Sequence, residues 1–191
     1  MDKFFANLWL VVLVGFGLAA VLIAMPDFAD AAGVSAGLLA GLFQWLHVFF
    51  GIVWIGLLYY FNFVQVPAMP AIPAELKPGV TKHIAPKALF YFRWGAAFTV
   101  LTGLILAHLY GELVQALLLQ EGFRLIGIGM WLALIMAFNV WFIIWPAQKK
   151  VLGMVEAEDS AKASAARSAL IASRTNVMLS IPMLLAMTAF R

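Results

Sequence analysis

The sequence predicts an all-α fold, a polytopic membrane helical bundle of about five transmembrane helices. Of its 191 residues, 65% are hydrophobic and only 11% are charged, whereas a soluble domain carries about 25% charged residues. Several apolar segments also exceed the roughly 18–20 residues that a helix needs to cross a bilayer. We therefore expect residues 1–191 to form one integral membrane domain in contact with lipid, with spans at 4–25, 36–65, 87–110, 123–145 and 172–190.

The first two spans are delimited by breaks in the apolar sequence. The first, FFANLWLVVLVGFGLAAVLIAM, is followed by Pro26, and its apolar run is too long for a typical signal peptide, so a retained helix is expected. The second is long enough to require a tilt or a projection beyond the membrane. Four prolines in the next segment, VPAMPAIPAELKPG, predict that no continuous helix runs through it.

The last three spans differ in how clearly their ends are marked. The third begins near Pro86, and it either ends near Gly111 or extends through LVQALLLQ to residue 120. The fourth ends at Trp145, and the polar, alanine-rich segment after it has the charge spacing of a helix outside the bilayer. The fifth contains Pro182, where a kink is expected.

Basic residues lie on one side of the predicted bundle. The second and fourth connections carry most of them: Lys77, Lys82, Lys87, Lys149, Lys150, Lys162 and Arg167. By the positive-inside rule, the N-terminus is cytoplasmic and the C-terminus lies on the far side. Membrane orientation accounts for this charge, so no nucleic-acid partner is predicted. The sequence has no cysteine, which excludes disulfides, thiol catalysis, iron–sulfur clusters and covalent c-type haem within it.

His47 is the clearest candidate for a functional residue, because an ionisable group at the centre of a membrane helix costs about 2.5–3.5 kcal/mol. It shares a helical face with Gly51 and Trp54. A glycine one turn from the histidine leaves room for a flat group such as a haem edge, or for a neighbouring helix. The alternative for His47 itself is a structural, hydrogen-bonded histidine.

His108 is the second candidate ligand. If the third span continues to residue 120, His108 lies at a depth similar to that of His47. Two imidazoles at one depth are what the iron of a bis-histidine b-type haem requires. Zinc or copper would need more ligands than the neighbouring residues supply.

Two arginines are candidate anion-binding residues. Arg93 lies in FRWGA and Arg174 opens the fifth span on the same side of the membrane. If they face one cavity, they can bind a carboxylate, an anionic substrate or haem propionates. The alternative is that each side chain reaches separately to the lipid head groups.

Other polar and small residues predict contacts between helices. Hydrogen bonds that join helices are expected for Gln44, Asn62, Gln65 and Asn139, in preference to a polar pathway. Close helix packing is expected for the stripe of Gly95, Thr99 and Gly103.

The stretch WLHVFFGIVWIGLLYYFNFVQVP resembles the hallmark of the membrane domain of the bacterial membrane-bound urate oxidase (urate hydroxylase) family. FRWGA and SRTNVMLSIPML are similar to later motifs of that family, in the same order. A more distant likeness, at His47, Trp54, Gly56 and Tyr59, is to small helical membrane protoporphyrinogen oxidases, which are thought to bind b-type haem through that histidine.

The likeness to protoporphyrinogen oxidases implies haem b bound through His47, in a protein of the bacterial inner membrane whose C-terminus is periplasmic by the positive-inside rule. With the residue patterns described above, His47 and His108 are the expected ligands of the haem iron, and Gly51, Trp54, Arg93 and Arg174 are expected to contact the cofactor. Family members usually carry a cytochrome c domain, which this sequence lacks, so electron transfer or oxidation would use a separate cytochrome as acceptor. The alternative function is a non-catalytic accessory subunit of a larger respiratory or photosynthetic membrane complex. The substrate stays open.

Overall fold

The computed structural model describes residues 7–23 and 37–189, and every regular element in these ranges is helical. In chain order the helices are α1 (Leu8–Ile23), α2 (Leu38–Ala71), α3 (Lys77–Leu109), α4 (Leu113–Leu117), α5 (Arg124–Val151) and α6 (Asp159–Ala189). Among the described residues, α2, α3, α5 and α6 are long and apolar enough to cross a membrane. The predicted helical membrane fold is thus confirmed. For the first predicted span, the described part is the 16-residue α1, and the rest of residues 4–25 lies outside the described residues.

Three of the long helices contain a wide π-helical turn, and each of these turns ends two residues before a proline. The turns are Tyr60–Gln65, Val80–Ile84 and Asn139–Ile144, followed by Pro67, Pro86 and Pro146. A proline ring collides with the carbonyl four residues earlier and donates no hydrogen bond. In each case that carbonyl lies inside the π turn, where the backbone is wider. The helices therefore pass through these prolines.

As predicted, no continuous helix runs through this segment, but the break comes after Pro67 and Pro70, since α2 continues to Ala71. The helix instead breaks at Ile72, which adopts extended backbone angles (φ −78°, ψ 127°) immediately before Pro73. The steric restriction on a residue before proline favours this break.

The third predicted span does not continue to residue 120. Helix α3 ends at Leu109, and Gly111 follows with φ 72°, a conformation that glycine adopts without steric cost. The short helix α4 begins only after that turn. At the other end of the chain, the polar segment predicted to lie outside the bilayer joins the fifth span, and α6 is one helix of 31 residues with Pro182 inside it.

Helix α2 packs mainly on α3, and α5 mainly on α6, with smaller contacts that close the four into a bundle. Their shared core includes the fully enclosed side chains of Trp54, Leu58, Phe92, Met136 and Val140. Many large apolar side chains are exposed on the outside of the bundle, among them Val48, Ile52, Phe63, Phe142 and Ile181. An apolar exterior is what a lipid environment favours.

Candidate functional site

His47 lies on α2, half-buried against α3. Its Nδ1–H donates a hydrogen bond to the backbone carbonyl oxygen of Thr99, over 2.9 Å. Because a carbonyl oxygen only accepts, Nδ1 carries the proton, and in the neutral ring Nε2 keeps its lone pair. Within the described residues, no second hydrogen bond involves this imidazole. The imidazole is therefore held by a hydrogen bond at Nδ1, whereas Nε2 has no hydrogen-bond partner among the described residues.

The threonines near His47 use their hydroxyl groups within their own helix. Thr99 donates to the carbonyl of Gly95 (2.7 Å), and Thr102 donates to the carbonyls of Phe98 (2.6 Å) and Thr99 (3.2 Å). The Thr99 carbonyl thus accepts from both His47 and Thr102. Its position on α3 sets the orientation of the imidazole.

Glycines on α3 make the close approach of α2 possible. A Cβ atom on Gly103 would lie 2.7 Å from Cε1 and 2.9 Å from Nδ1 of His47, so the ring rests directly on the glycine backbone. A Cβ atom on Gly95 would lie 3.2 Å from the backbone nitrogen of Trp54. The predicted role of the Gly95, Thr99 and Gly103 stripe in close helix packing is confirmed.

Gly51 and Trp54, which share the helical face of His47, also lie in the contact between α2 and α3. A Cβ atom on Gly51 would meet Thr99 Cγ2 at 3.9 Å, and Trp54 is completely buried in the core. Either a haem edge or a neighbouring helix was expected beside Gly51, and in the structure helix α3 lies there.

The structure does not bring His47 and His108 together. His47 lies level with Thr99 and Gly103, whereas His108 is exposed in the last turn of α3. Five residues separate Gly103 from His108 along the sequence, which corresponds to about 8 Å along a helix and a rotation of about 140° away from the α2 face. Among the described residues, no group of three or more His, Cys, Asp or Glu side chains is placed to hold a metal ion.

The two candidate arginines have different surroundings. Arg93 is half-buried, and its guanidinium carbon lies 3.3 Å from the ring centroid of Trp145 and 5.7 Å from that of Trp141, both on α5. The indole N–H of Trp141 donates to the backbone carbonyl of Arg93 over 3.2 Å. Arg174 is exposed on α6 and forms no hydrogen bond or ion pair within the described part of the chain. Arg93 therefore occupies a defined aromatic site, and Arg174 does not.

A polar seam on α6, formed by Ser173, Asn176 and Ser180, was not predicted as a unit. The amide N–H of Asn62 donates to Ser173 Oγ over 2.8 Å, and the hydroxyl groups of Tyr59 and Ser180 lie 2.9 Å apart. Both contacts join α6 to α2. The spacing of the three seam residues places them on one helical face, and this spacing is a signal already present in the sequence.

Asn176 is the centre of this seam and is completely buried. Its Oδ1 accepts from Asn139 over 2.8 Å, and its own amide donates to the carbonyl of Met136 over 3.0 Å. The predicted role of Asn62 and Asn139 in joining helices is thus confirmed. Gln44 accepts a bond from the Tyr110 hydroxyl over 3.0 Å, while the amide oxygen of Gln65 is buried without a partner in the described residues.

These features define a polytopic helical membrane protein with one oriented histidine between α2 and α3 and a polar seam that joins α6 to both α2 and α5. A family model described as urate oxidase N-terminal matches residues 117–190, which include α5 and α6. The chain is therefore similar to that family over residues 117–190, and the predicted resemblance is confirmed there.

The family match covers one of the three motifs that carried the resemblance. SRTNVMLSIPML lies inside residues 117–190, whereas FRWGA and the stretch around His47 lie outside them. No curated protein and no solved structure matches the chain significantly. The likeness to haem-binding protoporphyrinogen oxidases stays a prediction.

Proposed function

We propose that the chain is an integral membrane redox protein of the urate oxidase-like type, which binds haem b through Nε2 of His47. The observation that carries this proposal is the hydrogen bond from His47 Nδ1–H to the Thr99 carbonyl. Histidines that ligate a metal almost always donate their other ring N–H to a carbonyl, a carboxylate or a water. His47 thus has the tautomer and the outer partner of an iron ligand.

The residues around His47 fit the role of an axial ligand. The Thr99 carbonyl keeps the proton on Nδ1 and leaves the lone pair of Nε2 available to a metal ion. Gly103 lets the ring approach the backbone of α3 closely, which restricts its rotation. When bound, haem b would supply one-electron redox chemistry, tuned by its axial ligand and by burial.

The proposal assigns one axial ligand, because His108 lies on a different face of α3. Contacts of Arg93 or Arg174 with haem propionates stay predictions. A separate cytochrome is the proposed electron acceptor, since the sequence has no cysteine to attach a haem of its own.

We place the protein in the bacterial inner membrane with a cytoplasmic N-terminus. Lys77 and Lys82 begin α3, and Lys149 and Lys150 end α5, so these cations lie at connections on one side of the bundle.

The test of this orientation uses two single-cysteine variants, Lys150→Cys and Glu121→Cys, because the sequence has no other cysteine. A membrane-impermeant maleimide should label Glu121→Cys in intact cells, and Lys150→Cys only after lysis. The opposite pattern would reverse the orientation.

The haem assignment is tested by purifying the wild type, His47→Ala and His83→Ala side by side and measuring haem b in each. His83 is exposed near the start of α3, so its variant is a matched control. We expect equimolar haem and a reduced b-type absorption band in the wild type and in His83→Ala, and loss of both in His47→Ala. Folded wild-type protein without haem, co-purifying with other membrane subunits, would favour the accessory-subunit function instead.

A further inference from the structure

We propose that the surface of α3 and α5 around Arg93, Trp145 and Lys149 binds the phosphate group of an anionic phospholipid. We call these three residues the Arg93 site. The proposal does not rest on haem binding through His47, because the Arg93 site uses neither His47 nor the residues that orient it.

Two cations share one aromatic ring in this site. The guanidinium carbon of Arg93 lies 3.3 Å from the ring centroid of Trp145, and Nζ of Lys149 lies 5.8 Å from the same centroid. The two charges are therefore within about 9 Å of each other, less than the roughly 10 Å screening length of 0.1 M salt. The ring quadrupole holds both cations in place.

No carboxylate among the described residues neutralises either cation. Within the part that the structure describes, the one ion pair joins Lys162 and Asp159, over 3.2 Å. In residues 7–23 and 37–189, the buried Nε atom of Arg93 has no hydrogen-bond partner, and neither have the amino groups at the outer edge of its guanidinium. Two like charges this close repel each other, and the repulsion is stronger near lipid than in water. An anion bound at the outer edge would remove this cost.

The position of the site matches the head-group region of a membrane. Trp145 and Lys149 lie in the last two turns of α5, which ends at Val151, and Trp and Lys are both typical of the membrane interface. Side chains on a helix lean towards its N-terminus, so Arg93 extends towards the basic start of α3. A planar guanidinium can donate two parallel hydrogen bonds to one phosphate group.

The apolar surroundings favour a lipid over free inorganic phosphate. Phe90 and Trp94 are exposed on α3 beside Arg93, and the rings of Trp94 and Trp141 are 5.6 Å apart in an edge-to-face arrangement. An acyl chain can pack on these rings, whereas a free phosphate ion gains nothing from them. We therefore assign the phosphate to a phospholipid of the surrounding leaflet.

The test measures the thermal unfolding midpoint of the full chain in detergent during titration with phosphatidylglycerol, phosphatidylcholine or inorganic phosphate. For the wild type, we expect a saturable rise of the midpoint with phosphatidylglycerol alone. Arg93→Gln and Lys149→Gln should each need about fivefold more phosphatidylglycerol for the same rise, the effect expected for removing one basic residue. Arg124→Gln is the matched control, because Arg124 is exposed at the other end of α5, and it should behave like the wild type.

Three outcomes would overturn the assignment. Equal responses of Arg93→Gln, Lys149→Gln and Arg124→Gln would mean that charge at the Arg93 site is irrelevant. An equal rise with inorganic phosphate would indicate a simple anion site. Loss of haem from Arg93→Gln would assign Arg93 to the propionates. If Arg93→Gln does not fold, the comparison of Lys149→Gln with Arg124→Gln decides the question, since Lys149 packs only partly against the protein.

Discussion

His47 is oriented by the backbone of a neighbouring helix rather than by another side chain. The sequence marks this residue as a candidate because an ionisable group in an apolar helix is costly. Its partner, the carbonyl oxygen of Thr99, could not be predicted, since every residue has a carbonyl and the choice depends on the register between α2 and α3. The glycine stripe predicts that these helices come close, but it leaves open which α2 residue faces which glycine.

Replacing Gly103 with alanine should displace the His47 ring. The new Cβ atom would lie 2.7 Å from Cε1 and 2.9 Å from Nδ1, too close for the ring to keep its place against the Thr99 carbonyl. Loss of such an outer partner typically lowers metal affinity about 10–100-fold, so we expect haem binding to weaken by this factor. A spectroscopic titration of the purified variant with haem measures the change.

Gly56→Ala is the control for Gly103→Ala, because nothing lies within 4 Å of a Cβ atom on Gly56. The free energy of unfolding of Gly103→Ala should fall by about 1–3 kcal/mol. The loss is limited because the His47 side chain can move aside while the backbone of α2 keeps its place. If Gly103→Ala and Gly56→Ala bind haem equally well, the proposed role of the Thr99 contact is wrong.

At the scale of helices, local sequence signals locate the elements but misjudge how prolines act. Four prolines were expected to interrupt the helix after the second span, yet α2 passes through Pro67 and Pro70, and a π turn precedes Pro67. Ile72, before Pro73, is where the helix stops, because the residue preceding a proline avoids helical angles. The sequence alone does not show which prolines a helix passes through and which proline it ends before. The outcome depends on whether the preceding helical turn can widen into a π turn.

The contact between α5 and α6 should depend strongly on Asn176. Asn176→Ala removes the bonds to Asn139 and to the buried Met136 carbonyl and leaves the half-buried amide of Asn139 without this partner. A buried polar group that loses its partner costs about 1–3 kcal/mol, although hydrogen bonds in membrane helices average about 0.6 kcal/mol each. We expect a loss of about 1–3 kcal/mol in the free energy of unfolding, measured by denaturant titration in mixed micelles.

Thr188→Ala on the same helix is the control for Asn176→Ala. Thr188 is exposed, and its hydroxyl bonds only to carbonyls of its own helix, those of Leu184 and Leu185. Its substitution should change the free energy of unfolding by less than about 0.5 kcal/mol. Equal losses for the two variants would show that the polar seam does not stabilise the packing of α5 on α6.

At the scale of the whole molecule, composition and apolar run length are sufficient to predict a helical membrane bundle. They do not predict which faces meet, because Trp54, Phe92 and Met136 in the core are as apolar as the side chains that face outwards. The pairing of α2 with α3 and of α5 with α6 brings His47 to a helix contact and Arg93 to an aromatic surface. The two sites lie in different parts of the bundle, so a redox role and a lipid contact can be tested separately.

The most direct measurement is a titration of the purified, haem-free protein with haem b, followed by visible absorption before and after reduction with dithionite. We predict saturation at an equimolar ratio and a b-type spectrum for the wild type, and only weak, non-saturating binding for His47→Ala. His83→Ala should match the wild type. Equal saturation of His47→Ala and the wild type would contradict the assignment of His47 as the haem ligand.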